Sequence, residues 1–217
     1  MKISILCSSK KHPVYRFLEL WRDSKSSEGH KVELVGDKKD LSGGDILFLI
    51  SCNEIIGRDV REMYNTSLVI HASDVPKGRG WSPHIWQILE GKNTIPVALL
   101  EVEDAVDSGH IWGQKTLQLE GHELCYEINE KLFAVELELM DFAVSQFNYV
   151  KPIPQKDVKP TFFRKRTPED SRIDPCRSIA EQFDLMRVAD PERFPAFFDY
   201  RGQRYNINLI KKDKVEG

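Results

Sequence analysis

Residues 71–109 read HASDVPKGRGWSPHIWQILEGKNTIPVALLEVEDAVDSG, with an ionisable side chain at each end of the stretch. His71 follows the run Ser67-Leu68-Val69-Ile70. That places it at the C-terminal end of a buried strand, where open α/β sheets hold their ligand sites. Asp107 follows a second apolar run, residues 95–102, and the Ser108-Gly109 turn after it can present a carboxylate back across the sheet edge. A histidine and an aspartate delivered by neighbouring strand ends can pair. Between them, Ser82-Pro83 predicts a helix start with Ser82 as N-cap and Pro83 at the first helical position. Gly91 closes that helix.

Toward the N-terminus the chain alternates strand and helix patterns. Residues 2–7 and 31–35 read as strands, and 45–51 (DILFLIS) is a nearly continuous apolar run suited to a central parallel strand. Tyr15, Phe17, Leu18, Leu20 and Trp21 give the helix after the first strand its apolar face. Residues 58–64 predict a short helix before the strand ending at His71. This order implies an α/β fold with a Rossmann-like, mostly parallel sheet. The loop after the first strand holds no glycine, so a standard dinucleotide site is not expected.

Toward the C-terminus, 111–119 predicts a more exposed strand, and 131–147 a long helix that is apolar nearly all round. Pro152, Pro154 and Pro160 then mark an extended linker or crossing segment. A short helix around 179–188 follows, then a hairpin over 197–210 turning at Arg201-Gly202. We therefore divide the chain into a catalytic domain, 1–150, and a linker and hairpin extension, 151–217. The extension is too small to hold a core alone and should dock on the first domain. Its hairpin is a plausible homodimer surface, and residues 211–214 read as a disordered tail.

The 217 residues are 41% hydrophobic and 30% charged, with a formal net charge of −3. This balance implies neither a nucleic-acid partner nor a membrane, and the expected location is the cytoplasm. The four cysteines show no C-x-x-C spacing and read as reduced thiols. A histidine paired with an aspartate could serve three chemistries. Hydrolysis would need a nucleophile, yet no G-x-S-x-G elbow is present. Metal binding would need further ligands at metal spacing, and none is expected among His12, His30, His84, His110 and His122. The third is acyl transfer between two bound substrates, with His71 handling a proton or an oxyanion and Asp107 fixing its orientation and charge.

The run His71-Ala72-Ser73-Asp74-Val75-Pro76-Lys77-Gly78-Arg79-Gly80, with Pro83, Gly91 and Asp107-Ser108-Gly109, resembles the catalytic core of the N10-formyltetrahydrofolate-dependent formyltransferases. The match covers about forty residues. The segment from Lys77 to His84, together with Arg166-Thr167-Pro168-Glu169-Asp170 and Ile173-Asp174, is similar to the branch acting on nucleotide-linked amino sugars. The resemblance implies formyl transfer from N10-formyltetrahydrofolate, as cosubstrate, to the amine of a nucleotide sugar such as a 4-amino-4,6-dideoxy sugar. It implies His71 and Asp107 as catalytic residues. Ser73, Lys77, Arg79, Trp81, His84 and Arg166 are the expected substrate contacts, and Cys52, Ile55, Ile56, Val102 and Asp104 the expected folate contacts. Arg79 and the basic run from Arg164 to Arg166 also read as solvated charge, and Trp81 as a packing aromatic. The family usually carries Asn-x-His, whereas this chain has Val69 two residues before His71. Asn53 and Asn65 are the nearby candidates to replace that amide. Formylation of another amine, or folate and nucleotide-sugar binding without turnover, are the alternatives.

Overall fold

The computed structural model describes residues 1–212. Residues 213–217, including half of the expected tail, lie outside the described residues. Strands β1 (Lys2–Leu6), β2 (Lys31–Val35), β3 (Gly44–Leu49) and β4 (Tyr64–His71) run parallel. Strand β5 is the two-residue Arg79–Gly80, while β6 (Thr94–Glu101) and β7 (Ile111–Gln118) complete a six-stranded sheet in the order β2-β1-β3-β4-β6-β7. The sheet is mostly parallel, as its alternation with helices predicts. The apolar run at 95–102 is the exception in direction, because β6 lies antiparallel to β4, with His71 opposite Ala98. An apolar run carries no information about strand direction.

Side-chain alternation gives the sheet two apolar faces. Ile3, Ile5, Cys7 and Phe48 pack with α1 (Tyr15–Ser27) and α4 (Cys125–Gln146), whereas Leu6, Leu47 and Leu49 face the other way with Ile56 and Tyr64. The short α2 (Arg58–Arg61) ends before Tyr64, which already belongs to β4 rather than to the expected helix. Helix α4 begins six residues earlier than its apolar pattern indicates. No Ser, Thr, Asp or Asn precedes it, and the Glu127 carboxylate instead accepts from the Leu124 amide at 2.8 Å. Helix α3 (Pro83–Leu89) starts where expected, yet Ser82 stands at φ 46 and its side chain makes no capping bond.

The segment after α4 is no free linker. Ile153 exchanges backbone hydrogen bonds with Ile111 at 2.7 and 3.0 Å. Pro152 and Pro154 on either side have no N–H to leave unpaired. Strand β8 (Phe162–Phe163) then pairs in parallel with β5. Helix α5 (Phe183–Arg187) and the hairpin β9 (Ala196–Tyr200) to β10 (Gln203–Ile207) enclose a satellite apolar cluster of Ile173, Met186, Ala189 and Ala196. The hairpin turns where expected: Arg201 and Gly202 sit at φ 50 and 77, the two positive values a tight two-residue turn requires. Among the described residues no helix is long and apolar enough to cross a membrane.

Candidate active site

His71 closes β4 with only 5% of its surface exposed. Its Nδ1 lies 3.4 Å from Asp107 Oδ2 and its Nε2 2.8 Å from the Gly78 carbonyl oxygen. That carbonyl can only accept, so Nε2 carries a proton in this arrangement. Asp107 arrives by an indirect route. Because β6 runs antiparallel, Val102 continues along β4 away from the end that carries His71, donating its amide to the Ser67 carbonyl. The loop to β7 must therefore fold back, and it does so with Asp107 at φ 54. Gly109 passes against the Glu101 backbone where a Cβ would collide. The Gly80 amide donates to Asp107 Oδ2 at 3.0 Å, and Gln155 Nε2 donates to the Asp107 and Gly109 carbonyls at 2.8 and 2.9 Å. A carboxylate turned back in this way onto a fixed imidazole can hold a proton, a positive charge, or both.

The expected substrate contacts differ in exposure and in partners. Ser73 is 1% exposed, its amide donates to the His71 carbonyl at 3.0 Å, and its hydroxyl has no partner among the described residues. Lys77 points to solvent, while Arg79 donates to Gln155 Oε1 at 2.6 Å. Trp81 is 43% exposed beneath the Lys165 ammonium, 4.8 Å from its ring centre. Half-buried His84 is pushed down to about 4, first by burial and then by the charges of His71, His12 and Arg166. Arg166 is half-buried as well, and its Nη2 is shared between the Asp170 carbonyl and Ser171 Oγ, both at 3.2 Å.

The expected folate contacts lie on two loops. Cys52, Ile56 and Val102 join one apolar cluster with Val69, while Ile55 is 80% exposed. Arg61, which no sequence pattern singled out, ties α2 to the second of these loops: its Nη1 donates to the Val102 carbonyl at 2.9 Å and its Nη2 pairs with Asp104. Burial pushes the Cys52 thiol up. Val69 supplies packing where an amide was expected. Asn65 cannot replace it, because it sits at the opposite end of β4 and donates to Asp45 at 3.1 Å. Asn53 lies in the loop after β3, at the same sheet end as His71.

Two cavities of about 550 and 410 Å³ open elsewhere, around Arg172 and Asp199 and around Phe17 and Cys125. Neither is lined by His71 or Asp107. Gln155 and Thr161 were missed from sequence because they act through bonds to the backbone of distant segments. Thr161 Oγ1 accepts from the Gly78 amide at 2.8 Å.

Residues 1–144 match the protein family described as formyl transferase. The bifunctional polymyxin resistance protein ArnA of Wigglesworthia glossinidia brevipalpis is 27% identical over 159 residues, which cover 72% of this chain. They cover 24% of that protein, so the chain spans about a quarter of its length. A methionyl-tRNA formyltransferase from Clostridium thermocellum shares the fold, with TM-score 0.81 and 22% identity over 98% of this chain and 94% of that one. A 4-N formyltransferase from Francisella tularensis does so with TM-score 0.73 and 16% identity over 99% and 98%.

Proposed function

The chain belongs to the formyl transferase family, and we propose that it moves a formyl group from N10-formyltetrahydrofolate to the amine of a nucleotide-linked amino sugar. The observation that carries this reading is the buried His71–Asp107 pair at the end of β4, inside the matched region. The apolar cluster of Cys52, Ile56 and Val102, with exposed Ile55 beside it, suits the flat ring of a folate. The donor supplies the activated formyl carbon, and its N10 takes up a proton as the C–N10 bond breaks. The sugar amine attacks that carbon and loses one proton. In this reading Asp107 takes up that proton, and His71, once its Nε2 leaves the Gly78 carbonyl, faces the developing oxyanion. Lys77, Arg79, His84 and Arg166 are the proposed contacts to the nucleotide sugar, and Trp81 offers it a stacking face.

Val69 gives a second reading some weight. Loss of one oxyanion donor costs about 3 kcal/mol of transition-state stabilisation, and His71 Nε2 is already engaged by the Gly78 carbonyl. A protein that binds folate and nucleotide sugar without turnover would have this appearance. Incubating the chain with the formyl donor and a panel of nucleotide-linked 4-amino-4,6-dideoxy sugars separates the two. An N-formyl sugar with matching release of tetrahydrofolate supports the transferase. Saturable folate binding without product supports the second reading, and formylation of methionyl-tRNA alone overturns the sugar substrate.

A further inference from the structure

We propose that Gln155 is a positioning residue for the transfer reaction, fixing Asp107 against His71 through the backbone of two loops. This rests on the roles proposed above for that pair.

Gln155 is half-buried in the strap between Ile153 and β8. Its side-chain amide makes three hydrogen bonds, all to segments around the site. Both amide hydrogens go to carbonyls of the returning loop, Asp107 at 2.8 Å and Gly109 at 2.9 Å. Its oxygen accepts from Arg79 Nη2 at 2.6 Å. Two acceptors on one side and a guanidinium on the other leave a single sensible orientation for the amide.

The bonds close a ring around the carboxylate. From Gln155 Oε1 the ring passes to Arg79, along the chain to the Gly80 amide, across to Asp107 Oδ2 at 3.0 Å, and back through the Asp107 carbonyl to Gln155 Nε2. Asp107 occupies the left-handed region at φ 54, which a non-glycine residue holds only when its surroundings over-determine it. Gln155 is the side chain that grips its carbonyl. It does not touch His71 or the Asp107 carboxylate, so its effect reaches the chemistry only through geometry. The strap is itself anchored, by Ile153 on Ile111 and by the Arg79 amide donating to the Thr161 carbonyl at 2.9 Å.

The test compares wild type with Gln155→Met, which keeps the length and removes every polar atom. Displacement of a reacting group by an ångström costs roughly 100-fold. Gln155→Met is therefore expected to lose roughly 100-fold in kcat, with KM for the formyl donor within about threefold. In an Asp107→Asn background the same change should cost almost nothing, because the residue it positions is already disabled. Gln155→Asn keeps the amide but shortens its reach to the Asp107 and Gly109 carbonyls and should reproduce part of the loss, which covers the case of a Gln155→Met variant that does not fold. The ring 15N resonances of His71, recorded without substrate, should move in Gln155→Met as Nδ1 loses its carboxylate neighbour. A folded Gln155→Met with wild-type kcat and unmoved His71 resonances would overturn the proposal. If wild type formylates no amine the functional reading falls, and the resonances alone then decide whether Gln155 sets the pair.

Discussion

The Gly80 amide donates to Asp107 Oδ2 at 3.0 Å, which sets one lobe of the carboxylate 3.4 Å from His71 Nδ1. Gly80 stands at φ 100, and a Cβ there would run into the Phe163 carbonyl of the paired strand. Gly80→Ala should therefore separate β5 from β8 and pull the amide from Asp107. We expect a stability loss of about 1–3 kcal/mol by chemical denaturation. Turnover should fall by roughly 100-fold. An alanine variant with unchanged turnover would show that this amide does not hold the carboxylate.

Glu136 is half-buried on α4, within a turn of buried Leu132, Phe133, Leu139 and Met140. Burial pushes its carboxyl up to about 8. The unfolded carboxyl ionises near 4.5 while the folded one does not until about 8, so stability is lost as pH rises through that window. Glu136→Gln removes the penalty. It should stabilise the protein by up to about 4 kcal/mol at pH 8 and by nothing at about pH 4, read from denaturation at each pH.

His12 and His84 behave in the opposite sense. Burial first, then Arg193 beside His12 and His71 beside His84, pushes each down to about 4. Below about 6.5 the unfolded chain takes up protons that the folded chain refuses until about 4, so stability falls with pH across that range. Each histidine contributes a slope of up to about 1.4 kcal/mol per pH unit. His12→Gln and His84→Gln should each flatten the acid limb of the stability profile, and a limb as steep as wild type in both variants would refute the assignment.

Arg187 is 1% exposed and joins α5 to the segments just before β6 and α4. Its Nη2 donates to Asn93 at 3.0 Å and its Nε to Asp184 at 2.6 Å, and Nη1 lies 4.0 Å from buried Glu123. Glu123 is held down at about 2 by the Lys131 ammonium and backbone amides despite its burial. Removing one member of a buried network typically costs about 3–5 kcal/mol. Arg187→Ala should show a loss of that order, with proteolysis appearing first in the extension, and Arg187→Met combined with Glu123→Gln should recover part of it.

Much of this architecture is legible in local pattern. The strands at 2–6 and 31–35 and the turn at Arg201-Gly202 follow from side-chain alternation and from a residue pair suited to positive φ. The His71–Asp107 pair is legible through the family resemblance of the 71–109 stretch but not from its apolar runs, because the second run ends at the opposite end of β4 from His71 and the loop after it has to turn back. What stays hidden depends on contacts between distant segments. The direction of β6 is set by its partners rather than by its own composition. The strap reads as a proline-rich linker or crossing segment, and its bonds to Ile111 and β5 are what decide between the two. Arg61 looks like one more surface charge on a four-residue helix, and only the fold brings it to Val102 and Asp104.

The pairing of one imidazole with one carboxylate is the centre of the account, and the steady-state rate of tetrahydrofolate release with an accepted amino-sugar nucleotide tests it most directly. His71→Ala and Asp107→Asn should each lower kcat by a factor of about 100 or more, with folate binding and thermal midpoint near those of wild type. Full turnover by either variant would contradict it.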